Sequence, residues 1–85
     1  MYAIRFSTDR VRKQFDNLSD NVFTRVDAVV CALEENPFPR GVRKLTGKRD
    51  SYRIRVGDYR IIYEINPQKN EIILTRVGHR SEVYQ

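Results

Sequence analysis

The chain predicts an α+β fold, with one short strand, then two helices, then a run of strands. Three observations carry that prediction. A short alternating run, residues 2–6, opens the chain. Two stretches with helical periodicity follow and end near Glu35. Beyond residue 42 the apolar residues recur at every second position between turn-forming residues. Elements segregated in this order pack helices on one face of a mostly antiparallel sheet. The predicted order is β-α-α-β-β-β-β: an N-terminal strand, a two-helix hairpin, then a twisted sheet.

Each element has its own reason. Tyr2, Ile4 and Phe6 share one face of the first strand. Ser7, Thr8 and Asp9 offer N-caps. Val11, Phe15 and Leu18 then fall at i, i+4 and i+7, one helical face. Ser19-Asp20-Asn21 interrupts and caps a longer helix with Val22, Val26, Val29, Val30 and Leu33 on its apolar side. Cys31, mid-helix, is expected to be a small buried hydrophobe. Asn36-Pro37-Phe38-Pro39 ends the helix, because proline cannot continue it. Residues 42–45 predict a short strand, and Thr46-Gly47-Lys48-Arg49-Asp50 a turn. Tyr52, Ile54 and Val56 alternate with Arg53 and Arg55. Gly57-Asp58 predicts a tight hairpin. Tyr59, Ile61, Tyr63 and Ile65 alternate with Arg60, Ile62 and Glu64, and residues 71–77 form the last strand. Tyr52, Tyr59 and Tyr63 lie on the apolar rows and are expected in the core.

Length and composition narrow the function classes. Eighty-five residues make one domain, 1–85, with one modest core. Apolar residues are 40% and charged residues 32%, a globular composition. One Cys excludes an internal disulfide, and one Cys with one His excludes an ordinary four-ligand zinc site. No cofactor or metal is expected. No apolar run approaches the roughly 20 residues that span a bilayer, and residues 2–6 are too short for a signal-peptide core. The expectation is a cytoplasmic protein with no membrane partner.

The net charge of +5 is concentrated. Residues 40–60 hold eight basic side chains, Arg40, Arg43, Lys44, Lys48, Arg49, Arg53, Arg55 and Arg60, against Asp50 and Asp58. Elsewhere the signs nearly cancel. Arg53 and Arg55 share the strand face opposite Tyr52, Ile54 and Val56. Arg60 lies across the hairpin, and the register of the turn decides whether it joins them. A solvated sheet face normally mixes signs, whereas a face of guanidinium groups suits a phosphodiester backbone.

Three blocks resemble the RelE/ParE toxin superfamily, and more narrowly its RelE-like branch: Lys44-Leu45-Thr46-Gly47, then Tyr52-Arg53-Ile54-Arg55-Val56-Gly57-Asp58-Tyr59-Arg60-Ile61-Ile62-Tyr63-Glu64, then Val77-Gly78-His79-Arg80-Ser81-Glu82-Val83-Tyr84. The resemblance spans the chain. It implies the toxin of a type II toxin–antitoxin system, held inactive by a RelB-like antitoxin. It implies a metal-independent, ribosome-dependent mRNA endonuclease (an mRNA interferase) that inhibits translation. It implies cleavage in the A site by attack of a ribose 2′-OH on the adjacent phosphate. The free toxin is expected to be a monomer and its antitoxin complex a hetero-oligomer. The family's basic strand positions fall on Arg53 and Arg55, its Gly-x-Tyr-Arg arginine on Arg60, its later arginine on Arg80 and its C-terminal tyrosine on Tyr84. Lys44, Arg43, Lys48 and Arg49 are candidate RNA contacts.

This chemistry needs the 2′-OH deprotonated, the phosphorane charge stabilised and the leaving 5′-oxygen neutralised. Arg60 and Arg80 suit the last two tasks, and Tyr84 can orient the 2′-OH or stack on a base. The base is the open question. The family's strand positions are commonly lysine, but both are arginine here, and arginine keeps its proton. Either His79 or Glu82 takes the proton, with Glu64 also conceivable, or no dedicated base exists and the arginines act electrostatically. Two other functions stay open: a non-enzymatic inhibitor of DNA gyrase, as in the ParE branch, and an inactive antitoxin-binding homologue.

Overall fold

Thr8 starts the first helix, as its position before the apolar run predicts. Its extended backbone lets Oγ1 accept the Val11 N–H at 3.3 Å. The computed structural model describes residues 1–47 and 50–83. Helix α1 (Asp9–Asp16) buries Val11 and Phe15. Helix α2 (Asp20–Glu35) buries Val26, Val30 and Leu33. Asn36 closes α2, and its Oδ1 accepts the Phe38 N–H at 3.0 Å, which turns the chain out of the helix. Cys31 is exposed, contrary to expectation. It stands one helical step of about 100° past the inward-facing Val30, which carries it off the buried stripe.

The strands are β1 (Ala3–Phe6), β2 (Arg43–Lys44), β3 (Ser51–Val56), β4 (Tyr59–Asn66) and β5 (Glu71–His79). They form one sheet in the order β1-β5-β4-β3-β2. All neighbouring pairs are antiparallel except β1 with β5, which is parallel. The sheet is therefore mixed, with the N-terminal strand beside the last one. β5 runs two residues beyond the predicted end at Val77, and a short helix, α3 (Arg80–Val83), follows it. Among the described residues, no helix is long and apolar enough to cross a membrane.

One face of the sheet carries Ile54, Val56, Ile61, Tyr63, Ile65, Ile72, Leu74 and Val77, all buried, and meets the buried residues of α1 and α2 there. Phe6, Phe15 and Phe23 chain together through tilted ring contacts of 5.5 and 4.9 Å. Tyr63 is fully buried, and its hydroxyl donates to the Pro37 carbonyl at 2.7 Å. That bond ties the central strand to the turn that ends α2.

The pairing of β4 with β5 contains a bulge. Tyr63 faces Leu74, but Ile62 faces Arg76, so Thr75 is an extra residue in β5. The Thr75 hydroxyl donates to the Ile62 carbonyl at 3.1 Å, where the ladder is interrupted. The bulge resets the phase of the strand. Ile72 and Leu74 face the core, and after the extra residue Val77 faces it too.

Candidate nucleic-acid interface

Register assembles the site on the sheet face away from the core. The hairpin closes at Gly57-Asp58, with Val56 opposite Tyr59 and Arg55 opposite Arg60. Directly opposed residues project to the same side. Arg60 therefore joins Arg53 and Arg55, which settles the question the sequence left open. Arg43 faces Arg53, and Arg53 faces Ile62. Neighbouring strands lie about 4.8 Å apart, so Arg43 and Arg53 are adjacent guanidinium stems. Arg43 and Arg55 are exposed, and Arg53 is half-buried.

Arg60 departs from the expected solvent-presented arginine, because only 6% of it is exposed. It sits on the sheet's middle strand. The residue opposite it on β5 is Gly78, which carries no side chain. Its Nη1 donates to the Tyr59 carbonyl at 3.3 Å and the Gly57 carbonyl at 3.5 Å. Its buried Nε has no hydrogen-bond partner among the described residues. No carboxylate among them lies within ion-pairing distance of it either. A buried cation without a counter-charge is costly and attracts an anion.

Arg80 is tied to the same hairpin. Its backbone N–H donates to the Asp58 carbonyl at 2.8 Å, which fixes the start of α3 at the β3–β4 turn. The Arg80 side chain is exposed. Gly57 at that turn has φ of +61°, the left-handed region that glycine adopts freely. On the other side of the turn Arg25 of α2 stands so close that a Cβ on Gly57 would lie 2.6 Å from its Nη2.

His79 is placed elsewhere. It faces Tyr59 across the ladder, on the core-side row, with the two rings edge to face at 5.5 Å. Its Nδ1 accepts the Ser81 N–H at 3.2 Å and lies 2.9 Å from the Ser81 hydroxyl. A backbone N–H can only donate, so Nδ1 is the acceptor and the neutral ring carries its proton on Nε2. The pleat thus sets His79 on the side opposite Arg55 and Arg60. Lys44 faces Tyr52 and so also projects away from the arginine row, exposed at the sheet edge. Glu64 does lie on the arginine face, four residues along β4 from Arg60, about 13 Å. Lys48, Arg49 and Tyr84 lie outside the described residues.

Sequence reasoning passed over Arg76. Strict alternation from Ile72 and Leu74 assigns it to the core row, but the bulge turns it to the arginine face opposite Ile62. The signal was present as a slip in the apolar pattern, from 72 and 74 to 77. Among the described residues, no group of three or more His, Cys, Asp or Glu is placed to hold a metal ion.

The sequence and the fold have relatives. Residues 6–84 match the family model of the ParE toxin of the type II toxin–antitoxin system parDE. The Mycobacterium tuberculosis toxin RelG is 27% identical over 88 residues, covering 99% of this chain and 97% of RelG. A chain of the archaeal RelE–RelB complex from Pyrococcus horikoshii OT3 is 31% identical, covers 95% of this chain and 97% of its own length, and superposes with a TM-score of 0.80. The isolated E. coli RelE toxin is 28% identical, with 99% and 92% of the two chains covered and a TM-score of 0.83. The fold is thus shared with RelE toxins, and the chain belongs to the RelE/ParE superfamily of type II toxin–antitoxin toxins.

Proposed function

We propose that this toxin is a metal-independent endoribonuclease that cleaves mRNA in the ribosomal A site, and that its arginine face is the RNA-binding and catalytic surface. The observation that carries the reading is the buried Arg60 guanidinium, with an unpartnered Nε, beside Arg53 and Arg55 in register. A phosphate seated there supplies the anion that the fold leaves out.

In this reading the 2′-hydroxyl gives its proton to water, the 2′-oxygen attacks the adjacent phosphorus, and the bond to the 5′-oxygen breaks as that oxygen takes a proton from water. The products are a 2′,3′-cyclic phosphate and a 5′-hydroxyl. Arg60, held by two backbone carbonyls, stabilises the charge that builds on the phosphorane. Arg53 and Arg55 hold the flanking phosphates, and Arg80, anchored at the same turn, neutralises the leaving oxygen. Holding the reacting atoms in line supplies much of the remaining acceleration. His79 projects from the other side of the sheet and Glu64 is about 13 Å along the strand from Arg60. These positions favour electrostatic catalysis over a dedicated base drawn from either of them.

The partner is a RelB-like antitoxin. Support comes from the similar chains solved in RelE–RelB complexes from Pyrococcus horikoshii and E. coli. The free toxin is a monomer, and the complex is a hetero-oligomer. A second reading, inhibition of DNA gyrase without cleavage, is favoured by the match to the ParE model.

Primer extension on mRNA programmed into ribosomes tests the choice. Cleavage within the A-site codon by the wild type, lost in Arg60→Ala and Arg80→Ala, is expected. Intact toxicity with DNA damage and no cleavage would move the function to gyrase. Neither cleavage nor toxicity would identify an inactive antitoxin-binding homologue.

A further inference from the structure

The arginine face does not stop at the hairpin. The row that begins at Arg43 passes through Arg53 and Ile62 and ends at Arg76, crossing β2, β3, β4 and β5 at right angles to the strands. Its length is about three strand spacings, roughly 14 Å. Arg76 is exposed, and no carboxylate among the described residues lies within ion-pairing distance of it. The half-buried Ile62 between Arg53 and Arg76 brings no charge of its own.

Two features show that Arg76 reaches this row through the fold and not by chance alternation. The first is the extra residue Thr75, without which Arg76 would fall on the core row with Ile72 and Leu74. The second is the Thr75 hydroxyl on the Ile62 carbonyl at 3.1 Å, which satisfies the backbone where the bulge interrupts the ladder. Beside Arg76 opens a recess of about 170 Å³, lined also by Ser7, Thr8, Arg10 and Gln14.

We infer that Arg76 is a phosphate-binding residue for the RNA substrate. It holds a backbone phosphate outside the scissile position, across the sheet from Arg43 and Arg53. It contributes to binding and not to the chemical step, since it lies two strands from Arg53 and one row from Arg60. The inference rests on the endoribonuclease reading, so its test must separate the two.

The test is single-turnover cleavage of mRNA on programmed ribosomes, with the toxin concentration varied at several salt concentrations. Wild type, Arg76→Ala, Arg76→Lys and the charge-matched control Lys13→Ala are compared. Lys13 is exposed near the end of α1 and outside the arginine face. For Arg76→Ala the half-saturating concentration is expected to rise about tenfold, with the saturating rate within about twofold of wild type. The slope of log affinity against log salt is expected to fall by about 0.7, the loss of one single-strand phosphate contact. Arg76→Lys recovers most of the affinity and the slope, and Lys13→Ala changes neither. Wild-type cleavage with an unchanged half-saturation and slope in Arg76→Ala would overturn the inference and leave the endoribonuclease reading standing. A fall in the saturating rate alone would also overturn it. No cleavage by the wild type would overturn the reading, and the inference with it.

Discussion

Thr75 and Ile62 are joined by a side-chain bond, hydroxyl to carbonyl at 3.1 Å, where β5 carries its extra residue. That contact stabilises the phase change that turns Arg76 toward the arginines and His79 toward Tyr59. Thr75→Val keeps the shape and removes the donor. The expected cost is about 1 kcal/mol, or a fall in Tm of about 5 °C. Thr75→Ser, which keeps the hydroxyl, should lose less than half of that in the same thermal melts. Equal losses in the two variants would show that the hydroxyl bond is not what matters.

Arg60 separates stability from activity. A buried guanidinium with an unpartnered Nε adds little to the stability of the empty fold. Arg60→Met should therefore leave the urea midpoint unchanged or raise it. It should lower the single-turnover cleavage rate about 10²–10³-fold, the usual effect of losing a donor to a developing charge. A destabilisation of about 3 kcal/mol would instead mark Arg60 as a structural residue.

Tyr63 sets an alkaline limit. Burial, and secondarily the neighbouring Tyr52, raises its pKa well above the ordinary value of 10.0. Its folded-state pKa is raised, so the stability from the neutral phenol is present below the unfolded value and lost as pH rises above it. In that window the unfolded chain releases a proton that the folded chain keeps, and stability falls by about 1.4 kcal/mol per pH unit. Tyr63→Phe should start about 1–2 kcal/mol less stable at neutral pH, because the Pro37 carbonyl loses its donor at 2.7 Å. Its stability should then fall less steeply above pH 10. Urea melts from pH 7 to 11 on both proteins read both effects, and parallel curves above pH 10 would refute the assignment.

Cys31 offers a check on the placement of α2. The thiol is exposed, so Ellman's reagent should titrate it in the folded protein without denaturant. Its pKa is raised by local desolvation first, then by Asp27 and Glu34. At pH 7 to 8 it should therefore react more slowly than glutathione, since the thiolate is the nucleophile. Reaction only after unfolding would contradict the exposed position.

Most of the elements were legible in the sequence because their signals are local. Thr8 caps, Pro37 and Pro39 terminate, and Gly57-Asp58 turns wherever the rest of the chain goes. Period-2 alternation placed Arg53 and Arg55 on one face. Cys31 was misjudged because apolar neighbours in sequence say little about which side of a helix a single residue takes at the border of the stripe.

The sequence by itself determined the α+β order, the helix ends, the two-residue hairpin and the concentration of arginine in residues 40–60. Those follow from capping, proline geometry and side-chain period, each written within a few residues. Only the tertiary structure decided which arginines meet. The register of the β3–β4 hairpin put Arg60 beside Arg55, and pairing β5 with β4 set Gly78 opposite Arg60, which is buried. The bulge at Thr75 exchanged the faces of Arg76 and His79. A strand pattern has two possible phases, and a single unpaired residue switches one for the other. The energy that selects the phase lies in burying Val77 and satisfying the Ile62 carbonyl, contacts that exist only once the sheet has formed.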